Sequence, residues 1–203
     1  MGLEFMDARS IDVSRLVERK VASLYSHLVT RPTGRAVRMA IEARLGGVSR
    51  PSVSLIDLSE VTVLDFSCAD EVVAKLLLRY RETRSGSETF FIFRGVAEAH
   101  REPIEAVLDR QNLAAVAETK PERFELLGTR SAVEHAVWDA LERKGVLTFE
   151  ESRSLFPREV ERSVLDRLTE RRVALRSGNS GAYHALSGFV SGEGGPRDGG
   201  GDG

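Results

Sequence analysis

The chain has 203 residues, 41% of them hydrophobic and 30% charged, with a formal net charge of −2, so it can bury a core and global disorder is excluded. Lys and Arg (29) nearly balance Asp and Glu (31), which leaves no strongly basic nucleic-acid footprint over the whole chain. No apolar run approaches the roughly 18 residues of a membrane span, no charged start leads into a secretory segment, and the lone Cys68 excludes a disulfide framework or cysteine zinc cluster. The expectation is a cytoplasmic protein of one ordinary or two small domains, without a membrane partner and without a cofactor.

Val13 to Val29 places Val13, Leu16, Val17, Val21, Leu24 and Leu28 on one helical stripe, with Asp12 available as its cap. That stripe is long enough either to pack on a sheet or to pair two copies into a homodimer. The turn TRPTG follows, then a helix from Gly34 to Leu45 that Gly46-Gly47 would end. Val53 to Leu58 and Thr89 to Phe93 are short, apolar and β-rich, which suits buried strands. Ala69 to Tyr80 and Ala97 to Arg110 read as helices, and Phe124 to Leu127 as a last strand. Strands and helices in short alternation imply an α/β architecture, with helices packed on a sheet.

Past Gly128 the pattern changes. Ser131 to Lys144 is helical, and Thr148 with Glu151 has capping-box spacing for a short helix to Leu155. Pro157 stands where a first helical position would be, opening a helix through Arg171. Val173 to Arg176, the turn SGNSG and AYHAL then form a hairpin. Helix, helix, helix, hairpin is the outline of a small winged helix-turn-helix over Ser131 to Ser187, with Trp138 and the apolar positions Val160, Val164, Leu165 and Leu168 in its core. Eight of the 18 glycines fall between Gly188 and Gly203, so that segment reads as a disordered tail. The division is an N-terminal helix over 1–30, an α/β domain over 31–128, the winged-helix-like domain over 129–187 and the tail over 188–203.

SLIDLSEVTVLDFSCADEVVAKLL reads as strand, connection and a sharp entry into a helix at Ser67. This resembles the STAS domain of anti-sigma-factor antagonists and of sulphate-transporter tails. It is most similar to a STAS-like bacterial subgroup whose signature runs roughly Ser-Phe-Ala-Asp-Glu, here Ser67-Cys68-Ala69-Asp70-Glu71. Thr30-Arg31-Pro32-Thr33-Gly34-Arg35, opening a helix, also looks like that subgroup. The resemblance covers Arg31 to Leu127, about half the chain. In regulated anti-sigma antagonists the phosphorylated residue sits in a pattern like Asp-Ser-Ser-Gly. Asp65 matches its aspartate and Ser67 its phosphoacceptor, while Phe66 and Cys68 replace the neighbouring serine and glycine.

Two readings of Ser67 stand side by side. Serine is a favoured N-cap, with Asp70 as an approximate capping-box partner. As a phosphoserine it would bring nearly two negative charges beside Asp65, Asp70 and Glu71, and so eject a partner. Asp70 and Glu71 suit the helix dipole, or with Asp65 they shape a partner-binding edge. Arg31, Arg35 and Arg38 share one face; they either pair with carboxylates such as Glu42 or, as Arg31 and Arg35 with Thr33 and Gly34, hold an anion. Cys68 is expected to be a small buried hydrophobe, and His27, His100, His135 and His184 show no metal spacing. In the C-terminal module, Arg158, Arg162 and Arg176 are the candidate DNA contacts, although the helix that carries the first two is nearly neutral.

The resemblance implies a non-enzymatic regulator that docks a protein partner, of the histidine-kinase-like anti-sigma ATPase type, with Ser67 as control point. The alternative is a DNA-binding transcriptional regulator whose STAS-like half senses an anion or nucleotide. No nucleophile–base pairing supports an enzyme.

Overall fold

The computed structural model describes residues 7–12, 27–45, 52–82, 89–178 and 180–190. In chain order it runs β1 (Asp7–Asp12), β2 (His27–Leu28), α1 (Arg31–Leu45), β3 (Ser52–Asp57) and β4 (Val63–Leu64). The long helix α2 follows in three parts, Phe66–Ala69, a π-helical Asp70–Lys75, and Leu76–Glu82. Then come β5 (Thr89–Arg94), α3 (Glu98–Arg110), β6 (Ala115–Lys120) and β7 (Arg123–Leu127). The C-terminal part comprises α4 (Ala132–Lys144), β8 (Val146–Leu147), α5 (Phe149–Leu155), α6 (Glu159–Glu170), β9 (Leu175–Arg176), β10 (Tyr183–His184) and a closing 3-10 turn, Leu186–Phe189.

The architecture is mixed α/β. A five-stranded sheet has the order β1-β3-β5-β6-β7, parallel except for the antiparallel β7. β3 and β5 are buried on both faces, which is why their sequences read as nearly continuous apolar runs. Alternation sends Phe91 and Phe93 into one core with Val37 and Ile41 of α1, Val72 and Leu76 of α2, and Ile104 and Leu108 of α3. Phe90 and Ile92 point the other way, into a second core with Trp138, Leu141, Val164, Leu165 and Leu168. The C-terminal elements therefore form the layer that covers the second face of the sheet.

Polar ties fix that layer. Arg171 Nη2 donates to the carbonyls of Leu113 (2.7 Å) and Gly128 (2.9 Å), and its Nη1 to Glu134 (2.9 Å). Gly128 has φ +81°, and a Cβ there would lie 2.5 Å from the Leu113 carbonyl oxygen, so the turn into α4 requires glycine. Trp138 is 2% exposed and its indole N–H donates to the Val173 carbonyl at 3.2 Å. The three short strands of this part pair antiparallel in the order β8-β10-β9.

Several expectations are corrected. The helix expected over Val13 to Val29 has given way by His27–Leu28 to β2, which pairs in parallel with β4 and buries Leu28 completely; residues 13–26 lie outside the described residues. Gly46-Gly47 and 191–203 also lie outside them, but the described chain holds regular structure to Phe189 and buries Val190. α1 starts at Arg31 because Thr30 caps it, and Pro32 is tolerated in the first turn. α6 starts at Glu159, two residues beyond Pro157. Val160, assigned to the core, is 65% exposed, because its turn of α6 faces outward.

Candidate functional site

β4 delivers the chain to Asp65, whose extended backbone (φ −84°, ψ 167°) ends the strand and caps α2. Asp65 Oδ1 accepts the backbone N–H of Cys68 at 2.7 Å and also the Ser67 hydroxyl at 2.9 Å, with Oδ2 at 3.1 Å. The cap is thus Asp65, and the expectation that Ser67 caps the helix is corrected. Ser67 is the second helical residue, half-buried, with its hydroxyl oriented by Asp65. Sequence reasoning missed Phe66, which is 52% exposed beside it, with Val29 (48%) and Val63 (39%) exposed on the neighbouring strand ends. No local signal in the sequence marks a phenylalanine between a strand end and a helix start as exposed.

Asp70 does not complete a capping box with Ser67. The π-helical turn buries five consecutive residues, Asp70 to Ala74, and the two carboxylates are buried together, 4% and 2% exposed. Asp70 accepts from Arg31 of α1 (2.6 Å) and Arg110 of α3 (2.7 Å), with Lys75 at 3.6 Å. Glu71 accepts from Arg31 (3.1 Å), Arg38 (3.2 Å) and Lys75. Arg38 also binds Glu42 at 2.6 Å, and Arg79 lies 3.4 Å from Glu42. Five cations thus surround three carboxylates and tie three helices together. Burial by itself would raise the Asp70 carboxyl, but the hydrogen bond from Arg31 and the charges of Lys75, Arg31 and Arg110 hold it below the usual range. The same holds for Glu71, where hydrogen bonds from Lys75 and Arg38 outweigh burial. Neither carboxylate offers itself to a partner as expected; a partner would meet the arginine and lysine heads that cover them.

The expected anion site divides. Thr33 donates its backbone N–H to Thr30 Oγ1 (3.4 Å), and the two hydroxyls lie 2.8 Å apart, so both serve the α1 cap. Gly34 is a packing residue: a Cβ there would stand 2.9 Å from the Cys68 Cα, so glycine lets α1 approach the start of α2. Arg31 and exposed Arg35 line a shallow cleft of about 390 Å³ with Pro32, Glu71 and Lys75. A second cleft of about 330 Å³ joins Arg31, Phe66, Ser67, Asp70, Val107 and Arg110.

Cys68 is fully buried and its Sγ donates to the Thr30 carbonyl at 3.0 Å. Burial, then the charge of Asp65, pushes the thiol up to about 11. The folded protein at pH 8 should therefore react with an aromatic disulfide reagent roughly a hundredfold or more slower than the denatured chain; comparable rates would contradict this environment.

In the C-terminal layer each candidate DNA contact has an internal acceptor. Arg158 binds Glu161 (3.0 Å), Arg162 donates to the carbonyls of Phe156 (2.8 Å) and Pro157 (2.6 Å), and Arg176 binds Asp166 (3.1 Å) while lying over the Tyr183 ring. Large apolar side chains are exposed here as well: Val133, Val146, Phe149, Leu155 and Val160. Among the described residues no helix is long and apolar enough to cross a membrane. Comparison with family models, curated proteins and solved structures gives no match for the chain.

Proposed function

We propose that the chain is a non-enzymatic regulator whose STAS-like half docks a protein partner at the start of α2, with Ser67 as the control point. The observation that carries this reading is the half-buried Ser67 hydroxyl, held by Asp65 directly beside the exposed Phe66. An apolar anchor next to a modifiable hydroxyl lets one added charge break a contact. Val29, Val63 and Phe66 supply the apolar contact, and Arg31 and Arg110 rim it with positive charge. By resemblance the partner is an ATPase of the anti-sigma type, which also supplies the phosphate. The winged-helix-like C-terminal layer gives a second protein-facing surface through Phe149, Leu155 and Val160. DNA reading is the weaker alternative, because Arg158, Arg162 and Arg176 each already have an acceptor within the chain.

The test is a calorimetric titration of wild type, Ser67→Asp and Phe66→Ala with the ATPase recovered from native cells. Both variants should bind at least tenfold more weakly, a loss of about 1.4 kcal/mol or more. Unchanged affinity for Ser67→Asp would remove the switch, and unchanged affinity for Phe66→Ala would move the docking edge elsewhere.

A further inference from the structure

Ser67, Arg31 and Arg110 line one cleft, and both arginine heads are fastened on the same buried carboxylate. Arg31 reaches Asp70 Oδ2 at 2.6 Å and Arg110 reaches Asp70 Oδ1 at 2.7 Å. Asp70 lies three residues after Ser67, on the same side of α2. Both arginine side chains are half or more exposed, 51% and 62%, so their heads can reorient without leaving water.

Phosphorylation forms the Ser67 Oγ–phosphorus bond and breaks the bond from the γ-phosphorus to its bridging oxygen in a nucleoside triphosphate carried by the kinase partner; the diphosphate leaves. The hydroxyl proton passes to a carboxylate, and Asp65 already accepts it in a hydrogen bond of 2.9 Å. Asp65 then releases the proton to water; the product oxygen has none left to donate, so the Ser67–Asp65 bond is lost and replaced by repulsion between the phosphate and the ionised cap. The cations that share the cleft are Arg31 and Arg110, and a guanidinium matches phosphate with paired hydrogen bonds. Asp70 keeps Lys75 at 3.6 Å, and Glu71 keeps Lys75 and Arg38, so the buried carboxylates are not left without a cation.

We infer that a phosphate on Ser67 is taken up by Arg31 and Arg110 in exchange for Asp70, so that modification rewires the ties between α1, α2 and α3. This rests on the reading of Ser67 as the control point and adds to it. The switch then changes the shape and charge of the docking edge, because two arginine heads move to the mouth of α2 beside Phe66.

The test uses the full chain with phosphoserine placed at position 67 during synthesis, and phosphorus NMR across pH. Arginine pairing should lower the second ionisation of the phosphate by about one pH unit from its usual value of about 6. Arg31→Gln and Arg110→Gln in the phosphorylated chain should each move it back toward the value of a phosphoserine peptide. Both variants should fold, as thermal melts would verify, because both heads are exposed. An ionisation at or above the peptide value overturns the inference, as does a lowered value that neither substitution moves. The measurement needs no partner, so its failure is distinct from a failure of Ser67→Asp to weaken docking.

Discussion

Replacing Glu71 with alanine should lower the unfolding free energy by about 3–5 kcal/mol, the usual loss when one member of a buried ion pair is removed. Glu71 is 2% exposed and gathers Arg31, Arg38 and Lys75 from two helices. Without it Arg31 and Lys75, both substantially exposed, keep Asp70 and water, whereas Arg38, 16% exposed, retains only Glu42. Glu71→Gln keeps the shape and removes the charge, so its cost should be smaller, about 1–3 kcal/mol. Urea melts at pH 7 separate the two. The sign of the pH dependence follows from the carboxyls of Asp70 and Glu71, which are both held below their ordinary values when folded. The unfolded chain then binds more protons, so their contribution is fully present above the unfolded carboxylate values near 4 and is lost as pH falls through the folded ones. Wild type should lose stability steeply on acidification, and Glu71→Gln less steeply. An identical acid limb in both would mean that the network does not set acid stability.

The two central strands and the helices between them were legible because a strand buried on both faces leaves an unbroken apolar run, as in TFFIF, and because helical spacing is strong in ADEVVAKLLLRY. β1 and β6 escaped notice for the complementary reason. DARSID carries no apolar run, and AVAETK turns polar where β6 nears its end, yet the ladder beside each strand recruits them. At the site, Asp65, Ser67, Asp70 and Glu71 were all singled out, but their roles were not readable. Helical periodicity does not announce a π-helical turn, and that turn is what buries two adjacent carboxylates. The partners of those carboxylates come from 39 and 40 residues away, Arg31 before and Arg110 after, a separation that local spacing rules do not span. Arg38 with Glu42 was the readable part, because it lies within one helix.

Ending the chain at Gly128 should abolish folding rather than release an intact α/β domain. The face that the C-terminal layer covers carries Val53, Leu55, Phe90, Ile92, Val116 and Leu126, none more than 4% exposed. Uncovering six such side chains at about 1.5–3 kcal/mol each removes on the order of 10 kcal/mol, comparable to the whole stability of an ordinary domain. The truncated chain should aggregate or show no cooperative melt, by size exclusion and circular dichroism. Trp138→Ala in the full chain tests the same interface more gently and should cost about 3–5 kcal/mol. A truncated chain that stays monomeric and melts cooperatively near the wild-type temperature would make the C-terminal layer a loosely docked domain. The distinction bears on function, because a layer that closes the core has its inner surface already committed to the sheet. Only its outer side chains, among them Phe149, Leu155 and Val160, are then left for any further contact, and the proposed docking edge at α2 lies across the sheet from them.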